Sequence, residues 1–329
     1  MVHAGGRLIP LILPSEISGG TGVMNPSIGY DPDGDLLVNI RSVNYAFYNC
    51  ESKQKFPSIW GPLSYFHPEN DIALRTQNYL GRLDSNLNLK EIAWVDTSEF
   101  DKPPLWTFSG HEDVRVITWG KKLFLTGVRR DTEETGQGRM ELSEISINKK
   151  TWTVKEVSRR RIPAPGANDT YCEKNWVPIL SREFQYLKWS SPTEVVEVSD
   201  SDPVTVRQVS LEKGALPTRD LRGSTHMVPW RGYFVAITHE VDLQPNYLKQ
   251  KNGKYFHRLC VWNAEMSLIG FSEAFSFLGA QVEFACGGVP FENDLLVSFG
   301  FSDSSAFLLQ IPGEFMDDLV ERIISETAR

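Results

Sequence analysis

The chain has 329 residues, of which 41% are hydrophobic and 11% aromatic, so it can bury a large core. Its 34 basic and 42 acidic residues give a net charge of −8, which argues against a broad surface for nucleic acid or for an anionic membrane. Its four cysteines show neither CxxC spacing nor a ligand pattern with histidine, which favours reduced thiols and a cytoplasmic protein. No stretch approaches membrane-spanning length, so we expect a soluble protein.

A repeated unit organises the sequence, and it consists of a polar cluster followed by a short apolar strand. Five such apolar strands occur, at Leu36–Val38, Leu123–Leu125, Phe184–Leu187, Tyr233–Val235 and Leu295–Val297. The preceding polar clusters begin at Asn25, Glu112, Glu173, Arg222 and Glu283. Each interval has room for four short strands, and radial repetition of small sheets buries sheet faces without long exposed edges. The pattern predicts an all-β fold, a five-bladed β-propeller in one domain spanning residues 1–329, with the polar clusters converging on a central site.

Helical periodicity is confined to the end of the chain. There, Phe315, Leu319, Val320, Ile323 and Ile324 recur on one face of a helix over about residues 313–329. We expect this helix to pack against the propeller.

Two long segments interrupt the repeat, and long ordered loops in compact folds often bind ligands. Segment 47–75 is rich in aromatic residues and proline. We expect it beside the site, where its rings could stack on a sugar or a base; the alternative is a loop folded over its own small core. Segment 131–139 is acidic and glycine-containing, with disorder as its alternative. The glycine-rich stretch 19–22 is interpreted as a flexible loop near the axis.

The second unit concentrates charge in the run Glu112-Asp113-Val114-Arg115. In a strand, Asp113 and Arg115 lie on the same face and would point into the same space. Arg115 should then hold Asp113 ionised, which suits the binding of sugar hydroxyls better than proton donation. The alternative is a structural ion pair at the corner of a blade.

Later units add a cation and a group of histidines. Lys174 opens an inner strand, where its charge would project towards the axis. Three of the six histidines lie between residues 226 and 257, and they include His239 and His257. Without HExxH or comparable ligand spacing, hydrogen bonds to sugar hydroxyls or phosphate are favoured over a metal site.

The order of these motifs resembles glycoside hydrolase family 130. The matching elements are Asn25-Pro26-Ser27, Glu112-Asp113-Val114-Arg115, Glu173-Lys174-Asn175 and a glycine-containing turn before a strand that ends at His239. The resemblance implies a five-bladed propeller that cleaves or makes β-mannosides by phosphorolysis, by hydrolysis, or from a nucleotide sugar in related transferases. It also implies that Asp113 and Arg115 bind sugar and anion, that Lys174 contacts phosphate, and that His239 closes the fourth inner strand.

The chain departs from the family pattern at two places. Val114 stands where proline is usual. The catalytic aspartate of the family tends to follow the next strand, where this chain reads Arg129-Arg130-Asp131, so that Asp131 is the nearest carboxylate. His257 and Arg258 give the later units a character of their own, which indicates a divergent branch.

The residue types separate the possible reactions. An inverting glycosidase needs an acid and a base about 6.5–9.5 Å apart. A phosphorolytic enzyme needs the acid and cations that hold phosphate, whereas a transferase needs a base for the acceptor and cations for the departing diphosphate. The charged central set comprises Arg41, Arg115, Arg129, Lys174, Arg222, Arg258, Asp113, Asp131, Glu240, Glu283 and Asp303. So many basic residues in an acidic protein favour a phosphate-bearing partner.

The sequence thus predicts an inverting carbohydrate-active enzyme that transfers a glycosyl group, with phosphate or a nucleotide sugar as co-substrate and no required metal or cofactor. The candidate catalytic groups are Asp113, Asp131 and Glu240. The candidate substrate-binding residues are Asn25, Arg41, Glu112, Arg115, Arg129, Glu173, Lys174, Arg222, His239, His257, Arg258, Glu283 and Asp303. The alternatives are a hydrolase of the same fold, a non-catalytic sugar-binding propeller and a protein-interaction propeller.

Overall fold

A computed structural model of the protein describes residues 2–18, 22–47, 54–56, 63–66, 73–164, 166–167, 172–212, 221–245, 247, 249 and 251–327. A 3₁₀ turn (Val2–Ala4), strand β1 (Arg7–Leu11) and helix α1 (Ser15–Ser18) open the chain. The next strands are β2 (Gly22–Tyr30), β3 (Leu36–Val43), β4 (Ala46–Phe47), β5 (Gln54–Phe56), β6 (Leu63–Phe66), β7 (Leu74–Leu83), β8 (Leu89–Asp96) and β9 (Phe108–Ser109). They are followed by β10 (His111–Trp119), β11 (Lys122–Arg129), β12 (Arg139–Asn148), β13 (Thr153–Arg161), β14 (Val177–Pro178), β15 (Gln185–Ser190), β16 (Thr193–Val198) and β17 (Val206–Leu211). The last elements are β18 (Arg222–Gly223), β19 (Val228–Trp230), β20 (Tyr233–Pro245), β21 (Lys251–Trp262), β22 (Leu268–Phe271), β23 (Glu283–Phe291), β24 (Asp294–Phe301), β25 (Ser305–Ile311) and helix α2 (Gly313–Thr327).

The strands form successive antiparallel sheets, which confirms the all-β prediction. Sheet 1 contains β2, β3, β7 and β8, sheet 2 contains β10 to β13, and sheet 3 contains β14 to β17. Sheet 4 contains β18 to β22, and sheet 5 contains β23, β24, β25 and β1. Sheets 1 and 2 are joined at their outer edges by a short parallel pairing between β8 and β13. Because β1 pairs with β25, the first and last strands of the chain lie in the same sheet.

The repeated unit of the sequence corresponds to the first two strands of each sheet. The polar clusters lie in or beside the first strands, and the apolar segments lie in the second strands β3, β11, β15, β20 and β24. Strand β3 is buried along its whole length. A strand buried on both faces reads as a continuous apolar run rather than an alternating one.

The first strands of different sheets are hydrogen-bonded to one another. The Val116 amide in β10 donates to Ser27 Oγ of β2 over 3.1 Å. The fully buried His226 ring bonds the Val116 carbonyl through Nε2 at 2.9 Å and accepts from the Gly288 amide of β23 through Nδ1 at 3.1 Å. Burial is the main reason that the pKa of His226 falls to about 3, so the ring is a neutral connector between sheets.

The C-terminal helix confirms the helical prediction at Gly313–Thr327. Its buried face, with Val320 and Ile323, joins the apolar core formed by sheets 4 and 5. Asp294 Oδ1 accepts the Gly313 amide at 2.9 Å and so caps the first turn, where backbone N–H groups lack helical partners. Trp230 Nε1 donates to Asp317 at 2.7 Å and fixes the helix to sheet 4.

The interrupting segments are described in part. Strands β4, β6 and β5 form a small antiparallel sheet in this segment, while the aromatic side chains expected to stack on a ligand lie outside what the structure describes. Most of the stretch 19–22 also lies outside them. Segment 131–139 turns between β11 and β12. Cys172, Cys260 and Cys286 are free thiols, and Cys50 lies outside the described part of the chain.

Candidate functional site

Four polar residues with left-handed backbone conformations meet at one place. Asn25 has φ 41°, Asp113 φ 50°, Asn175 φ 66° and Asp303 φ 50°. A non-glycine residue with positive φ is uncommon, and Asn and Asp tolerate it best. Such conformations cost about 1–3 kcal/mol each and cluster at functional sites. All four residues line the same cavity.

This central cavity has two connected parts, of about 350 Å³ and about 240 Å³. The larger part is lined by Asn25, Asp113, Lys174, Asn175, Arg222, His239, Val241, Leu243, Tyr255, Val282, Phe284 and Asp303. The smaller part shares seven of these and adds Met24, Arg41, Tyr45, Phe108, Glu112, Arg130 and Gly253.

Asp113 is held as a carboxylate within the cavity wall. Its Oδ1 accepts Arg41 Nη1 at 2.6 Å and Asn25 Nδ2 at 2.7 Å. Burial alone would raise the pKa of Asp113, but the charges of Arg41, Lys174 and Arg115 and the Asn25 hydrogen bond lower it to about 2. Asp113 is therefore ionised at neutral pH.

Arg41 is fixed by several groups at once. Beyond Asp113, it donates to Tyr45 Oη at 2.7 Å and to Thr76 Oγ1 at 3.1 and 3.2 Å, and it pairs with Glu112 at 3.4 Å. This arrangement leaves the guanidinium little freedom, so Arg41 sets the position of the Asp113 carboxylate.

Asp303 behaves in the opposite way to Asp113. Burial raises the pKa of Asp303 to about 6, the nearby positive charge of Arg41 opposes this rise, and the negative charge of Asp113 adds to it. Among the described residues, no hydrogen bond or ion pair to its carboxyl group is found. Two carboxyl groups in one cavity thus have pKa values pushed apart, which is the pattern expected of an acid/base pair with distinct roles.

A cationic wall faces these carboxyl groups. The Lys174 side chain is exposed to the cavity, and within the described part of the chain its ammonium has no hydrogen-bond or ion-pair partner. The Arg222 guanidinium lies 5.6 Å from the centre of the Trp189 ring. His239 Nδ1 bonds Ser224 Oγ at 2.8 Å, and burial, with the nearby charges, holds the pKa of His239 well below its usual value. His239 is therefore neutral.

The remaining wall is largely apolar. The hairpin of β20 and β21 contributes Val241, Leu243 and Tyr255, and Val282 and Phe284 complete the surface. The Tyr255 ring stacks on His239 with centroids 5.8 Å apart. Pockets that bind sugars and other small molecules combine an apolar surface with a few placed polar groups, and this cavity has both.

The structure brings many of the predicted site residues together. Those that line the central cavity are Asn25, Arg41, Glu112, Asp113, Lys174, Arg222, His239 and Asp303. They come from the first and second strands of sheets 1 and 4, from the first strand of sheet 2, from the segment before β14, and from the β24–β25 turn.

Arg115 lies differently from the prediction. A register shift between Glu112 and Arg115 breaks the alternation of β10, so Asp113 and Arg115 do not share a face. Arg115 is 1% exposed and donates to the Ser224 carbonyl at 2.9 and 3.0 Å and to the Asp113 carbonyl at 2.7 Å. It supports the wall from behind, and Arg41 instead pairs with the Asp113 carboxylate.

Asp131 and Arg129 lie around a second cavity, between sheets 1 and 2. Asp131 Oδ2 accepts the Gly110 amide at 2.9 Å and lies 3.4 Å from Arg129 Nη1. Arg129 also approaches Glu141 at 3.1 Å.

The other predicted residues are occupied by structural contacts outside the central cavity. Glu173 accepts Trp176 Nε1 at 2.7 Å. Glu240 pairs with Arg258 at 3.0 Å. The fully buried His257 accepts the Ala285 amide through Nε2 at 3.3 Å.

Glu283 is fully buried and caps a backbone turn. Its two carboxylate oxygens accept the amides of Phe277, Leu278 and Ala280 at 2.6, 2.8 and 2.9 Å. In sheet 5 it is therefore Asp303, from the next turn of the chain, that reaches the central cavity.

The cavity residues missed by the site prediction include Asn175, Tyr45 and Tyr255. The sequence could have indicated Asn175, because it occupies the position in its repeated unit that Asn25 and Asp113 occupy in theirs. The two tyrosines lie in strands or loops whose approach to the cavity depends on packing between distant parts of the chain.

In the ranges described above, no group of three or more His, Cys, Asp or Glu side chains could hold a metal ion. No helix among the described residues has both the length and the apolar character needed to cross a membrane.

Comparison with known proteins identifies the fold. No protein-family model matches the chain, and no curated protein matches it by sequence. Among solved structures, β-1,2-mannobiose phosphorylase from Listeria innocua matches with a TM-score of 0.52 at 13% identity, covering 98% of this chain and 95% of that chain. A mannose phosphorylase from Leishmania mexicana, in complex with phosphate ion, matches with a TM-score of 0.51 at 10% identity, covering 96% and 92%. A structure from the GH130 family, described as containing mannoside phosphorylases and hydrolases of β-1,2 mannosidic linkages, matches with a TM-score of 0.57 at 13% identity, covering 89% and 85%. The chain has the fold of these glycoside hydrolase family 130 proteins over nearly its whole length.

Proposed function

We propose that this protein is a five-bladed β-propeller enzyme that breaks or forms a mannosidic bond with inversion, using a phosphate-bearing co-substrate. One observation carries the proposal: a single cavity holds an ionised carboxylate, Asp113, a carboxyl group of raised pKa, Asp303, and the ammonium of Lys174, which has no partner among the described residues. Phosphate itself is the simplest co-substrate. The reaction needs no metal or further cofactor.

The sugar would lie between the polar and apolar walls. Asp113 accepts hydrogen bonds from sugar hydroxyls, and the amides of Asn25 and Asn175 can both donate and accept. Leu243 and Tyr255 cover the apolar face of the ring. Because Arg41 fixes Asp113, the sugar meets a rigid set of acceptors, which lowers the cost of ordering the site on binding.

Asp303 is the proposed acid. Its protonated carboxyl group donates the proton to the glycosidic oxygen as the bond from that oxygen to the anomeric carbon breaks. The leaving sugar departs as a neutral alcohol, and Asp303 becomes a carboxylate. A phosphate oxygen forms the new bond to the anomeric carbon from the opposite face, giving a sugar 1-phosphate of inverted configuration.

Lys174 and Arg222 are the proposed anion contacts. Charge-assisted hydrogen bonds to phosphate are stronger than neutral ones, and the two cations also stabilise the charge on the attacking group. Neutral His239 can add a further hydrogen bond, because Ser224 occupies only its Nδ1.

The geometry disfavours simple hydrolysis. An inverting hydrolase needs a general base that activates water, and an effective base has a pKa near the working pH. Asp113 has a pKa of about 2 and is bonded to Arg41 and Asn25. It is therefore a weak base.

A nucleotide sugar is the second candidate co-substrate. The smaller part of the cavity brings the Tyr45 and Phe108 rings within 5.9 Å of each other, and Arg130 lies 5.1 Å from the Phe108 ring centre. Aromatic and guanidinium planes of this kind suit a base or a diphosphate. In that reaction Asp303 would act as the base, in its ionised form above about pH 6.

The test is a product analysis. The purified protein is incubated with β-1,2-mannobiose with and without phosphate, and separately with mannose and a GDP-, UDP- or ADP-sugar, and products are followed by ³¹P and ¹H NMR. Formation of α-mannose 1-phosphate only with phosphate supports phosphorolysis, and release of a nucleoside diphosphate supports the transferase. Free mannose formed without phosphate would identify a hydrolase. Saturable sugar binding without turnover on any of these substrates would identify a sugar-binding protein instead, and absence of any binding would reject the proposal.

A further inference from the structure

A second cavity of about 250 Å³, the lateral cleft, lies between sheets 1 and 2. It is separated from the central cavity by the short chain segment 108–112. Phe108 and Glu112 of this segment line the central cavity, whereas Ser109 and His111 line the lateral cleft. The same segment therefore forms a wall of both cavities.

We propose that the lateral cleft is a second carbohydrate-binding site that takes one neutral sugar ring. The inference rests on the proposed function for its ligand class, since an enzyme of mannosides meets glycans with several sugars. The cleft does no chemistry; it holds part of the glycan or a second glycan beside the central cavity.

Trp94 provides the apolar platform. It lies on β8 and is 50% exposed, whereas its neighbour Val95 is buried in the core at 5%. An exposed indole at the mouth of a cavity offers a flat apolar surface of the kind that packs against the C–H face of a sugar ring. Val95, Leu125 and Ile145 form the apolar floor.

The polar wall has unused hydrogen-bonding capacity. Within the described residues, His111 Nε2 and Asp131 Oδ1 are buried without a hydrogen-bond partner. Buried polar atoms are almost always bonded, so these two indicate a polar occupant next to them.

The charges at the cleft favour a neutral ligand over an anion. Asp101 and Asp131 line it together with Lys102, Arg129 and Arg75, and Arg75 already has an interaction of its own. The Arg129 guanidinium forms ion pairs with Glu141 and with both aspartates, at 3.1 to 3.6 Å. A phosphate would meet two carboxylates, whereas a sugar hydroxyl can both donate to a carboxylate and accept from a cation.

The experiment counts binding sites by isothermal titration calorimetry with β-1,2-mannobiose and no phosphate. All proteins carry Asp303→Asn, which prevents turnover. We expect two classes of site in this background. Adding Trp94→Ala should remove one class, or weaken it at least tenfold, and leave the other. Trp94→Phe, which keeps an aromatic face, should bind at this site more tightly than Trp94→Ala.

A matched control removes an exposed apolar side chain elsewhere. Leu211→Ala on β17 of sheet 3, where Leu211 is 45% exposed, should leave both classes intact. A single class that Trp94→Ala does not alter would overturn the lateral site while the proposed function stands. Absence of sugar binding in every protein would overturn the proposed function and this inference together.

Discussion

The central cavity and the charged cluster of sheet 2 use the same residue types for opposite purposes. The cluster consists of Arg129, Glu141, Glu156, Arg159 and Arg161. In the cluster each charge has an opposite charge beside it: Glu141 lies 3.1 Å from Arg129 and 3.3 Å from Arg161, and Arg159 pairs with Glu156. In the central cavity the described residues offer neither Lys174 nor Asp303 a hydrogen-bond or ion-pair partner. Charges that are neutralised within the protein hold strands together, and charges left without a partner in a cavity are available to a ligand.

The backbone shows the same division. In the cluster, Glu141, Arg159 and Arg161 lie in the regular part of the antiparallel pairing between β12 and β13, whose one register shift falls beyond them, between Glu144 and Ile145. At the cavity, Asn25 and Asp113 sit at breaks in strand register with positive φ. The strain is maintained by close packing: a Cβ atom at Gly300 would collide with Asn25 Oδ1 and with its backbone nitrogen. Strained polar residues held by packing are typical of sites rather than of supporting structure.

The largest expected effect is on catalysis in the central cavity. Asp303→Asn removes the proposed proton donor, so kcat should fall about 10²–10⁴-fold, the range that general acid catalysis contributes. KM for the sugar should change little, because Asp113 and the apolar wall remain. Steady-state kinetics with β-1,2-mannobiose and phosphate measure both constants. A kcat within about threefold of that of the unchanged protein would assign the acid to another group.

The charged cluster should respond in stability instead. Glu156 is 2% exposed and accepts hydrogen bonds from Arg159 and Ser143. Glu156→Ala leaves Ser143 and Arg159 without this acceptor, while Arg159 keeps Asp101 at 2.7 Å, so the unfolding free energy should fall by about 1–3 kcal/mol. Urea denaturation measures this loss, with kcat per folded molecule expected to stay constant.

The surface pair Lys122–Glu144, with 2.9 Å between Nζ and Oε2, is the matched control for the cluster. Lys122→Ala should cost less than about 1 kcal/mol, because exposed ion pairs contribute little. Equal losses in the Glu156 and Lys122 variants would show that the cluster is no more structural than an ordinary surface pair.

The pH dependence of stability separates the two cavity carboxyls. The folded-state pKa of Asp303, about 6, is above the ordinary aspartate value of 3.8, so its stabilising protonation is complete below about pH 4 and is lost as pH rises through 6. The difference between these two pKa values corresponds to at most about 3 kcal/mol of unfolding free energy. Relative to the unchanged protein, Asp303→Asn should gain stability progressively between pH 4 and pH 7.

Asp113 changes the stability of the protein with pH in the opposite direction. Its folded-state pKa, about 2, is below the ordinary aspartate value of 3.8, so its contribution to stability is present above about pH 4 and is lost as pH falls towards 2. Denaturation curves of Asp303→Asn and of the unchanged protein at pH 4, 5, 6 and 7 provide the measurement. A stability difference between Asp303→Asn and the unchanged protein that stays constant over this range would contradict the raised pKa of Asp303.

The sequence predicts the sheets better than it predicts the site, for a physical reason. The apolar segments and the helix face follow periodicity, which local sequence carries directly. The prediction that Asp113 and Arg115 lie on the same face of their strand failed, because the alternation rule does not anticipate the bulge between Glu112 and Arg115. The distinct environments of Asp131 and Asp303 depend on which strands meet in space. Asp303 was recognised as a polar residue of the last unit, but only the three-dimensional packing shows that it lies beside Asp113.

Substitution of Lys174 has the smallest expected effect. Lys174→Met removes the unpaired cation, so KM for phosphate should rise about 10-fold to 100-fold, in line with the loss of one charge-assisted hydrogen bond. The unfolding free energy should stay nearly constant, because the described residues give the Lys174 ammonium no bond to lose. Lys155→Met on β13, where the side chain is 68% exposed, is the control for removing a positive charge, and it should leave KM for phosphate unchanged. If both variants raise KM equally, the effect comes from the overall field of the protein. If Lys174→Met instead destabilises the fold without changing KM, Lys174 belongs with the charges that hold the structure together, and the phosphate must be sought elsewhere in the cavity.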